Sequence, residues 1–376
     1  MQRRTLFTAG MGAATVAVVG TELATAAFWG EAAGAVPSEM FPWIIDCDSW
    51  GARPPTSPVV LRQGTTRKII VHHTAYPNTT DYSREQAIWL ARDIQRLHQD
   101  VNAFADSGQH FTISRGGFVL EGRHRSLETL ETGLAQVQGA HCPGRNHDSI
   151  GIENEGTYIT ETPTQALWDS LVRLCVTICQ QYHIKAHNIF GHWDFRATQC
   201  PGIAFYRQFP QLRRDVAVAL GTRLDEVPER TWPDIYNAIG GPVTNLAQYL
   251  LRNAGYAIVP TGVWSSAMTL AIQDWQTRHG LTVSPDGTMT AETWETLAPE
   301  LDKDATGDAV SALQSILIPK GHDDLVINGE FDNATKHAVK FLQQLHGLPV
   351  NGKVDTATWC VITGGVVRDA FKSALS

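Results

Sequence analysis

The sequence has no excess of positive charge and, beyond its first 35 residues, no long apolar run. Its 376 residues carry 30 lysines and arginines against 38 aspartates and glutamates, a formal net charge of −8 at pH 7. A nucleic-acid partner is therefore not expected, because such partners require clustered positive charge. The missing apolar runs exclude a membrane-spanning helix after the N-terminal region. A chain of this length is expected to hold two or three domains.

The N-terminal residues have the pattern of an export signal. Arg3 and Arg4 form a twin-arginine pair, and a weakly hydrophobic run rich in Gly, Ala and Thr follows. Two A-x-A cleavage sites lie at 24–26 and 33–35. We therefore expect residues 1–35 to be a twin-arginine-type signal peptide and the mature protein to be exported, without membrane contact. A retained membrane anchor is the alternative, which the weak hydrophobicity disfavours.

Cysteine is scarce, and its pairing is open. An exported protein can form disulfides, but the sequence does not choose between the possible pairs. Buried free thiols are an equal alternative for Cys175 and Cys360. The cysteines are Cys47, Cys142, Cys175, Cys179, Cys200 and Cys360.

Residues 41–220 have the pattern of a mixed α/β domain. The apolar run at 68–74 and the segment 149–153 predict buried strands, and 110–122 predicts a hairpin around Gly116 and Gly117. Helical periodicity follows Ser83, where Ser-Arg-Glu-Gln fits a capping box, and also covers 164–182 and about 205–220. Strands that alternate with helices predict a mixed central sheet flanked by helices.

The C-terminal part is an internal repeat. A charged segment with two prolines, 221–236, is interpreted as a linker, and the segments 237–299 and 302–366 then match each other at an offset of 65 to 67 residues. Two copies are too few for a solenoid, so each is expected to fold as a small helical module on its own core. Repeated binding modules raise the effective concentration of an enzyme at a polymeric target.

A histidine at the end of one strand, together with a histidine and a cysteine in a later loop, suggests a metal site. His192 and Cys200 lie eight positions apart in a Gly- and Pro-bounded loop, and the strand at 68–74 contains His72 and His73. Imidazole and thiolate are good zinc ligands, and a catalytic zinc site keeps a fourth position open for water. Since successive strand residues face opposite sides, only one of His72 and His73 can reach the metal. Periodicity alone does not choose between them.

Four motifs occur in the order of a known family. They are Val-His-His-Thr at 71–74, Asp-Ser-Gly-Gln-His-Phe at 106–111, Ser-Ile-Gly-Ile-Glu-Asn-Glu-Gly at 149–156, and the loop 191–202. In this combination, residues 41–220 resemble the zinc-dependent N-acetylmuramoyl-L-alanine amidase family, which includes phage lysozyme-type amidases and animal peptidoglycan recognition proteins. The repeats resemble the three-helix peptidoglycan-binding module often attached to such enzymes.

This resemblance implies a ligand set and a reaction. It selects His72 over His73 and implies one Zn²⁺ ion held by His72, His192 and Cys200. It also implies hydrolysis of the amide bond between the lactyl group of muramic acid and L-alanine of the peptidoglycan stem. Glu153 is the candidate general base, with Glu155 as the nearby competitor.

Three positions depart from patterns common in the family, and two of them bear on the chemistry. Gln109 stands where many relatives have tyrosine, and an amide can hydrogen-bond but not titrate; this makes dependence on Glu153 stronger. Thr198 stands where some relatives have lysine, and its hydroxyl can still donate to an oxyanion. No role is assigned to Trp193, which stands where arginine is common.

Weaker expectations concern substrate contacts. Gln109, His110, Asn154 and Arg123 are the candidate substrate-binding residues, with Arg123 suited to a stem carboxylate. For His110 a purely structural role is equally plausible, and for Arg123 a solvated basic turn is the alternative. The expected partner is peptidoglycan, the protein is expected to act as a monomer, and an exported protein with these modules should be extracellular or wall-associated.

Two other functions compete with the amidase. A recognition protein would bind peptidoglycan without cutting it, but non-catalytic relatives typically lose a zinc ligand, and all three positions are filled here. A wall metallopeptidase, such as a D-alanyl-D-alanine carboxypeptidase, would carry an H-x-H pair or an H-E-x-x-H helix, and the sequence has neither.

Overall fold

A computed structural model describes residues 39–64, 66–237 and 240–375. The predicted signal peptide, 1–35, lies outside these residues. Within the described part, no helix is both long and apolar enough to cross a bilayer. All six cysteines are described, and each is a free thiol.

Six of the described strands form a mixed sheet in the order β1-β5-β4-β7-β3-β8, and four form two small two-stranded sheets, β2-β6 and β9-β10. β4, β7, β3 and β8 run parallel, whereas β5 is antiparallel to β4. The strands are β1 (Ile44–Ile45), β2 (Leu61–Gln63), β3 (Lys68–His73), β4 (Phe111–Ile113), β5 (Val119–Glu121), β6 (Ala135–Val137), β7 (Ser149–Asn154), β8 (Ile189–Gly191), β9 (Arg230–Thr231) and β10 (Val366–Val367).

The helices cover this sheet and then form the C-terminal part. They are α1 (Cys47–Trp50), α2 (Arg84–Arg96), α3 (Ser126–Thr132), α4 (Gln165–Tyr182), α5 (Ile203–Tyr206), α6 (Phe209–Ala219), α7 (Pro242–Asn253), α8 (Ser266–Arg278), α9 (Ala291–Leu297), α10 (Asp308–Leu317), α11 (Asn333–Leu345), α12 (Thr356–Ile362) and α13 (Lys372–Leu375). The predicted mixed sheet with flanking helices, followed by two three-helix modules, is confirmed.

Local sequence signals fixed where the long helices start. The Ser83 hydroxyl accepts a hydrogen bond from the Gln86 amide at 3.2 Å, and the Thr164 hydroxyl accepts one from Leu167 at the same distance. Each bond satisfies one of the free N–H groups at a helix start. The predicted helix at about 205–220 is instead divided into α5 and α6. Pro210 lies in the first turn of α6, where its missing backbone N–H favours a helix start over a helix interior.

The apolar strands are buried on both faces, as parallel strands covered by helices should be. Ile69, Ile70 and Val71 of β3 have no exposed surface. Apolar residues of α4, α6 and the sheet pack together in a large hydrophobic core. A smaller hydrophobic cluster lies against α2. The smaller cluster consists of Cys47, Trp50, Ala87, Ala91 and Leu120.

The two modules repeat the same buried polar bonds. In α7, the Gln248 Oε1 atom accepts from Gly262 N at 2.8 Å, and in α10, Gln314 Oε1 accepts from Gly329 N at 3.0 Å. Trp294 and Trp359 are fully buried at matching positions, and each indole donates to a backbone carbonyl. They therefore fill module cores, as the small size of the modules predicts.

The segment 221–236, predicted as a linker, is packed against both modules. β9 pairs with β10 in antiparallel register, and the Trp232 ring stacks on Trp294 with ring centroids 5.9 Å apart. The modules also pack on each other through α7 and α10. All described residues belong to one compact unit, so the connection is a structured part of it rather than a free tether.

Candidate metal and catalytic site

Two neighbouring strands and one loop bring the three expected metal ligands together. β8 lies beside β3, with Val71 opposite Gly191, so His192 follows its strand next to His72. Cys200 returns from the loop that follows, and its Sγ atom lies 3.6 Å from His72 Nδ1. One ligand atom from each of His72, His192 and Cys200 falls within 4.8 Å of the others. The structure therefore forms a compact group that could hold one metal ion.

The donor atoms suit zinc. His192 Nε2 is buried and has no hydrogen-bond partner among the described residues. Burial lowers the pKa of His192 to about 4 and that of His72 well below its ordinary value, so both rings are neutral at pH 7, as metal ligands must be. Two imidazoles and one thiol are the N and S ligands that zinc prefers.

The cysteine must lose a proton when a metal binds. Burial, together with the nearby Glu153 side chain, raises the pKa of Cys200 well above its ordinary value, so the metal-free protein holds a thiol. Its Sγ atom accepts a hydrogen bond from the His73 amide at 3.3 Å. Loading the site must therefore release this proton, which makes metal affinity depend on pH.

His73, the alternative ligand, lies on the other side of its strand. Its Nδ1 atom accepts a hydrogen bond from the Tyr158 amide at 3.2 Å, which occupies one of its ring nitrogens. His72 instead joins His192 and Cys200 in the group that could hold a metal. The choice that strand periodicity left open is made by this packing.

His141 is a site residue that the sequence reasoning missed. Its Nδ1 atom lies 3.0 Å from His72 Nε2, so a His72 ring that offers Nδ1 to a metal carries its proton on Nε2 and donates it to His141. The His141 ring lies against Gly151, where a Cβ atom would fall 2.5 Å from the ring. The available signal was a histidine in a turn-rich segment just before a buried strand.

We expect His141→Phe to weaken zinc binding by about 10- to 100-fold, the usual effect of losing a hydrogen-bond partner of a ligand. Phenylalanine keeps a ring against Gly151 but cannot accept from His72. Competition with a chelator measures the affinity, and His147→Phe, at an exposed histidine six residues away, is the matched control. Equal affinity in both variants would show that backbone contacts alone orient His72.

The two candidate bases, Glu153 and Glu155, have different surroundings. Glu153 is opposite His72 in the register of β3 and β7, and its Oε2 atom is buried with no hydrogen-bond partner among described residues. Glu155 lies just past the strand, where its two oxygens accept from Gln86 Nε2 at 2.8 Å and from Arg115 N at 2.7 Å. Within the described residues, Glu153 Oε2 is therefore available for proton transfer, whereas both Glu155 oxygens are used in structural hydrogen bonds.

Burial raises the pKa of Glu153 to about 8, so the metal-free folded protein keeps this carboxyl protonated at neutral pH. Below the ordinary pKa of 4.5, both the folded and unfolded states hold the proton. Between 4.5 and about 8 only the unfolded state releases it, so the free energy of unfolding falls by about 1.4 kcal/mol per pH unit.

We therefore expect Glu153→Gln to stabilise the metal-free protein by a few kcal/mol at pH 8 and far less at pH 5. The amide cannot ionise, so this loss of stability with rising pH disappears. Urea denaturation of both proteins in chelator, at pH 5 and pH 8, measures the difference. The same pH dependence in the two proteins would contradict a raised pKa at Glu153.

Thr198 and Gln109 have defined hydrogen bonds near the site. The Thr198 hydroxyl oxygen accepts from the Cys200 amide at 3.1 Å, which leaves its own proton free to donate. Gln109 is almost fully buried, and its Nε2 atom donates to the hydroxyl of Thr112, the residue opposite Glu153 on β4. The proposed roles of Thr198 in catalysis and of Gln109 in substrate binding stay predictions.

His110 and Asn154 are enclosed by the protein. The His110 ring contacts Val137 O at 2.7 Å and accepts from Gly151 N at 3.0 Å, so both nitrogens are occupied. Asn154 Nδ2 donates to His72 O at 2.8 Å. Both residues have no exposed surface. Their expected substrate contacts stay predictions, and as placed they support the strands that carry the site.

Arg123 lines a cleft of about 260 Å³, together with Val60, Phe104 and the Gly139–Ala140 segment that precedes His141. The guanidinium is mostly buried, and its Nε atom has no hydrogen-bond partner within the described chain. Its Nη1 atom makes a long contact of 3.5 Å with Gln138 O. A ligand carboxylate would complete these bonds, so the expected substrate role of Arg123 stays a prediction with a suitable cleft.

The fold and the site define an α/β domain with a candidate metal centre, followed by two three-helix modules. Residues 62–203 match the family described as N-acetylmuramoyl-L-alanine amidase, and residues 240–297 and 306–362 match the putative peptidoglycan binding domain. The chain belongs to this family of amidases and peptidoglycan recognition proteins.

Three curated relatives show the range of the similarity. Peptidoglycan-recognition protein LB of Drosophila melanogaster is 32% identical over 42% of this chain and 64% of its own length. Protein SC2 of the same species is 31% identical over 44% of this chain and 83% of its own length. The human N-acetylmuramoyl-L-alanine amidase is 32% identical over 42% of this chain, which spans 26% of that relative. A solved structure of Drosophila PGRP-LB matches 43% of this chain and 88% of its own, at 31% identity and a TM-score of 0.38.

Proposed function

We propose that this protein is a zinc-dependent amidase that releases stem peptides from the glycan strands of peptidoglycan. The bond cut is the amide between the lactyl group of N-acetylmuramic acid and L-alanine. The observation that carries the proposal is a Glu153 oxygen without a hydrogen-bond partner among the described residues, beside a complete group of His72, His192 and Cys200. The family matches of the catalytic part and of both modules support the same polymer as substrate.

The donor set suits a zinc ion, which when bound activates water and polarises a carbonyl oxygen. His72 and His192 are neutral and Cys200 gives up its proton, so the protein meets the chemical needs of the ligand set. His141 and Asn154 hold His72 in place through its Nε2 and its backbone oxygen.

Glu153 is proposed to move the proton. In its ionised form, its Oε2 atom takes a proton from the attacking water and returns it to the leaving amine of L-alanine. The raised pKa of about 8 in the metal-free protein makes this carboxylate a stronger base than an ordinary glutamate, and a bound cation would favour its ionised form. The carboxylate lies on the strand next to His72, so base and metal group face the same space.

Thr198 and Arg123 are proposed to orient the substrate. The Thr198 hydroxyl is fixed at its oxygen by the Cys200 amide, so its proton can stabilise the carbonyl oxygen as negative charge develops there. Arg123 in its cleft would bind a carboxylate of the stem peptide. We propose that the two modules bind peptidoglycan and so keep the catalytic domain close to its substrate.

A non-catalytic recognition protein is the second candidate, because several relatives are named as recognition proteins. Such a protein would need a surface that binds peptidoglycan, but neither the complete ligand group nor a carboxylate available for proton transfer beside it. The presence of both in this chain favours the amidase.

The test is digestion of purified peptidoglycan by the full chain loaded with zinc, with and without a chelator. The amidase predicts new L-alanine amino termini with intact glycan strands, and their loss in chelator. Sedimentation with insoluble wall, measured in parallel, reports binding. Wall binding without new amino termini from zinc-loaded protein would favour the recognition protein.

A further inference from the structure

The turn that carries the ligand His192 is in direct contact with the second module. Trp193, to which the sequence alone assigned no role, is mostly buried. Its indole N–H donates to Pro319 O at 2.7 Å. The ammonium of Lys320 lies 5.8 Å from the centre of the same ring. The residues that join α10 to the rest of module 2 therefore cover one side of this turn.

The other side of the turn is held by a buried carboxylate. Asp194 Oδ2 accepts from the amide of Gly191, the residue just before His192, at 2.9 Å, and Oδ1 accepts from the Tyr206 hydroxyl. The backbone oxygen of His192 accepts from the Phe195 amide at 3.1 Å, which closes the turn. The position of Asp194 thus fixes the backbone from which the His192 ring projects.

Lys320 is the module's charge partner for this carboxylate. Its Nζ atom lies 3.8 Å from Asp194 Oδ1, and the two side chains are 3% and 1% exposed. A buried ion pair is costly to break, because the remaining buried charge loses its partner. Gly364 of the same module also approaches closely, since a Cβ atom there would lie 3.1 Å from Asp194 O.

Lys320 is not a general feature of the module fold. At the offset of 66 residues that aligns Gly321 with Gly255, both with left-handed backbone, the matching residue of module 1 is Ala254. His346 shows the same contrast: it is buried against Tyr206, whereas its module 1 counterpart, His279, is exposed. A wall-binding or folding role common to both modules therefore does not explain Lys320.

We propose that Lys320 is a positioning residue for the metal ligand His192, so that the second module is part of the metal centre. Lys320 holds the Asp194 carboxylate, the carboxylate holds the Gly191–His192 backbone, and the backbone sets the direction of the ring. The inference rests on the proposed metal site. It extends the role of module 2 from binding the wall to shaping the catalytic group.

The test measures zinc affinity by chelator competition and the absorption spectrum of the Co²⁺-loaded full chain. Lys320→Met and Asp194→Asn are each expected to weaken zinc binding by about 10-fold or more and to shift the Co²⁺ bands, which report ligand geometry. The double variant removes both charges of the Lys320–Asp194 pair, and the amide oxygen of the introduced asparagine can still accept from Gly191. Arg213, a second buried cation near Asp194, keeps its hydrogen bond to Ile189 O at 2.7 Å. We expect the zinc affinity of the double variant to return to within about threefold of wild type.

Arg252→Met is the matched control. Arg252 pairs with Asp308 across the two modules, at 2.5 Å, and its described hydrogen bonds, ion pair and ring contact are with Asp308 and Tyr249 rather than with the His192 turn. This variant loosens module packing and should leave zinc affinity and the Co²⁺ spectrum unchanged. Circular dichroism shows whether each variant is folded.

The outcomes separate this proposal from the proposed function. Wild type that binds no zinc would remove the metal site itself. If wild type binds zinc and folded Lys320→Met has the same zinc affinity and the same Co²⁺ spectrum, the proposed role of Lys320 is overturned. If Lys320→Met does not fold, the comparison of Asp194→Asn with the double variant tests the proposal instead. Zinc affinity that is weakened equally in these two variants would overturn it.

Discussion

Cys200→Ala is expected to lose the metal and to lower amidase activity by about 10³-fold or more, since a bound metal contributes several kcal/mol to such reactions and each 1.36 kcal/mol is tenfold. Alanine removes the only sulfur of the ligand group and leaves two histidines, which bind zinc far more weakly than a group of three ligands. Metal content and product analysis of digested peptidoglycan measure the two losses together.

Cys142→Ala is the control for this substitution. Cys142 is a fully buried free thiol that does not belong to the ligand group, so its removal tests packing near the site while all three donor side chains stay in place. We expect zinc content to be unchanged and stability to fall modestly. Full zinc content in Cys200→Ala would remove Cys200 from the ligand set.

Glu153→Gln has the second largest expected effect. Loss of a general base lowers kcat by about 10²- to 10⁴-fold, because the water's proton has no acceptor in the transition state. Zinc should stay bound, because Glu153 is not among the three ligands. The same variant should be more stable than wild type without metal, so low activity would not reflect unfolding.

Glu155→Gln separates the base from its neighbour. Its oxygens accept from Gln86 and Arg115, and an amide in their place leaves one buried group poorly paired. The expected result is a stability loss of about 1–3 kcal/mol with kcat near that of wild type in the folded enzyme. The opposite pattern, with activity lost in Glu155→Gln and kept in Glu153→Gln, would assign the base to Glu155.

Much of the fold was predictable because its signals are local. Ser83 and Thr164 cap helices whose starts depend on the residues within one turn, and the apolar run of β3 has the composition of a buried strand. The repeat was visible because each module needs the same apolar and glutamine positions to close its own core. The short strands β1, β2 and β6 were missed, since two or three residues carry no periodic signal and, unlike β4 and β5, these strands are not joined to a partner by a glycine turn.

The candidate ligands were also accessible from the sequence, through the spacing of His192 and Cys200 and the motif around His72. What the sequence left open were choices between neighbours. Strand alternation could say only that His72 and His73 face opposite sides, and the family resemblance then selected His72. The structure supplies the physical reason, because the Tyr158 amide occupies His73 Nδ1 while His72 lies with His192 and Cys200.

By itself, the sequence determined the mixed sheet, the two modules and the set of residues able to bind a metal, because these follow from periodicity, repeats and side-chain chemistry. Only the tertiary structure separated Glu153 from Glu155, brought His141 to His72, and placed module 2 on the His192 turn. Each of these depends on contacts between distant segments, such as Trp193 and Pro319, which lie 126 residues apart. Burial and hydrogen-bond completion decide such contacts, and neither is a property of a local sequence window.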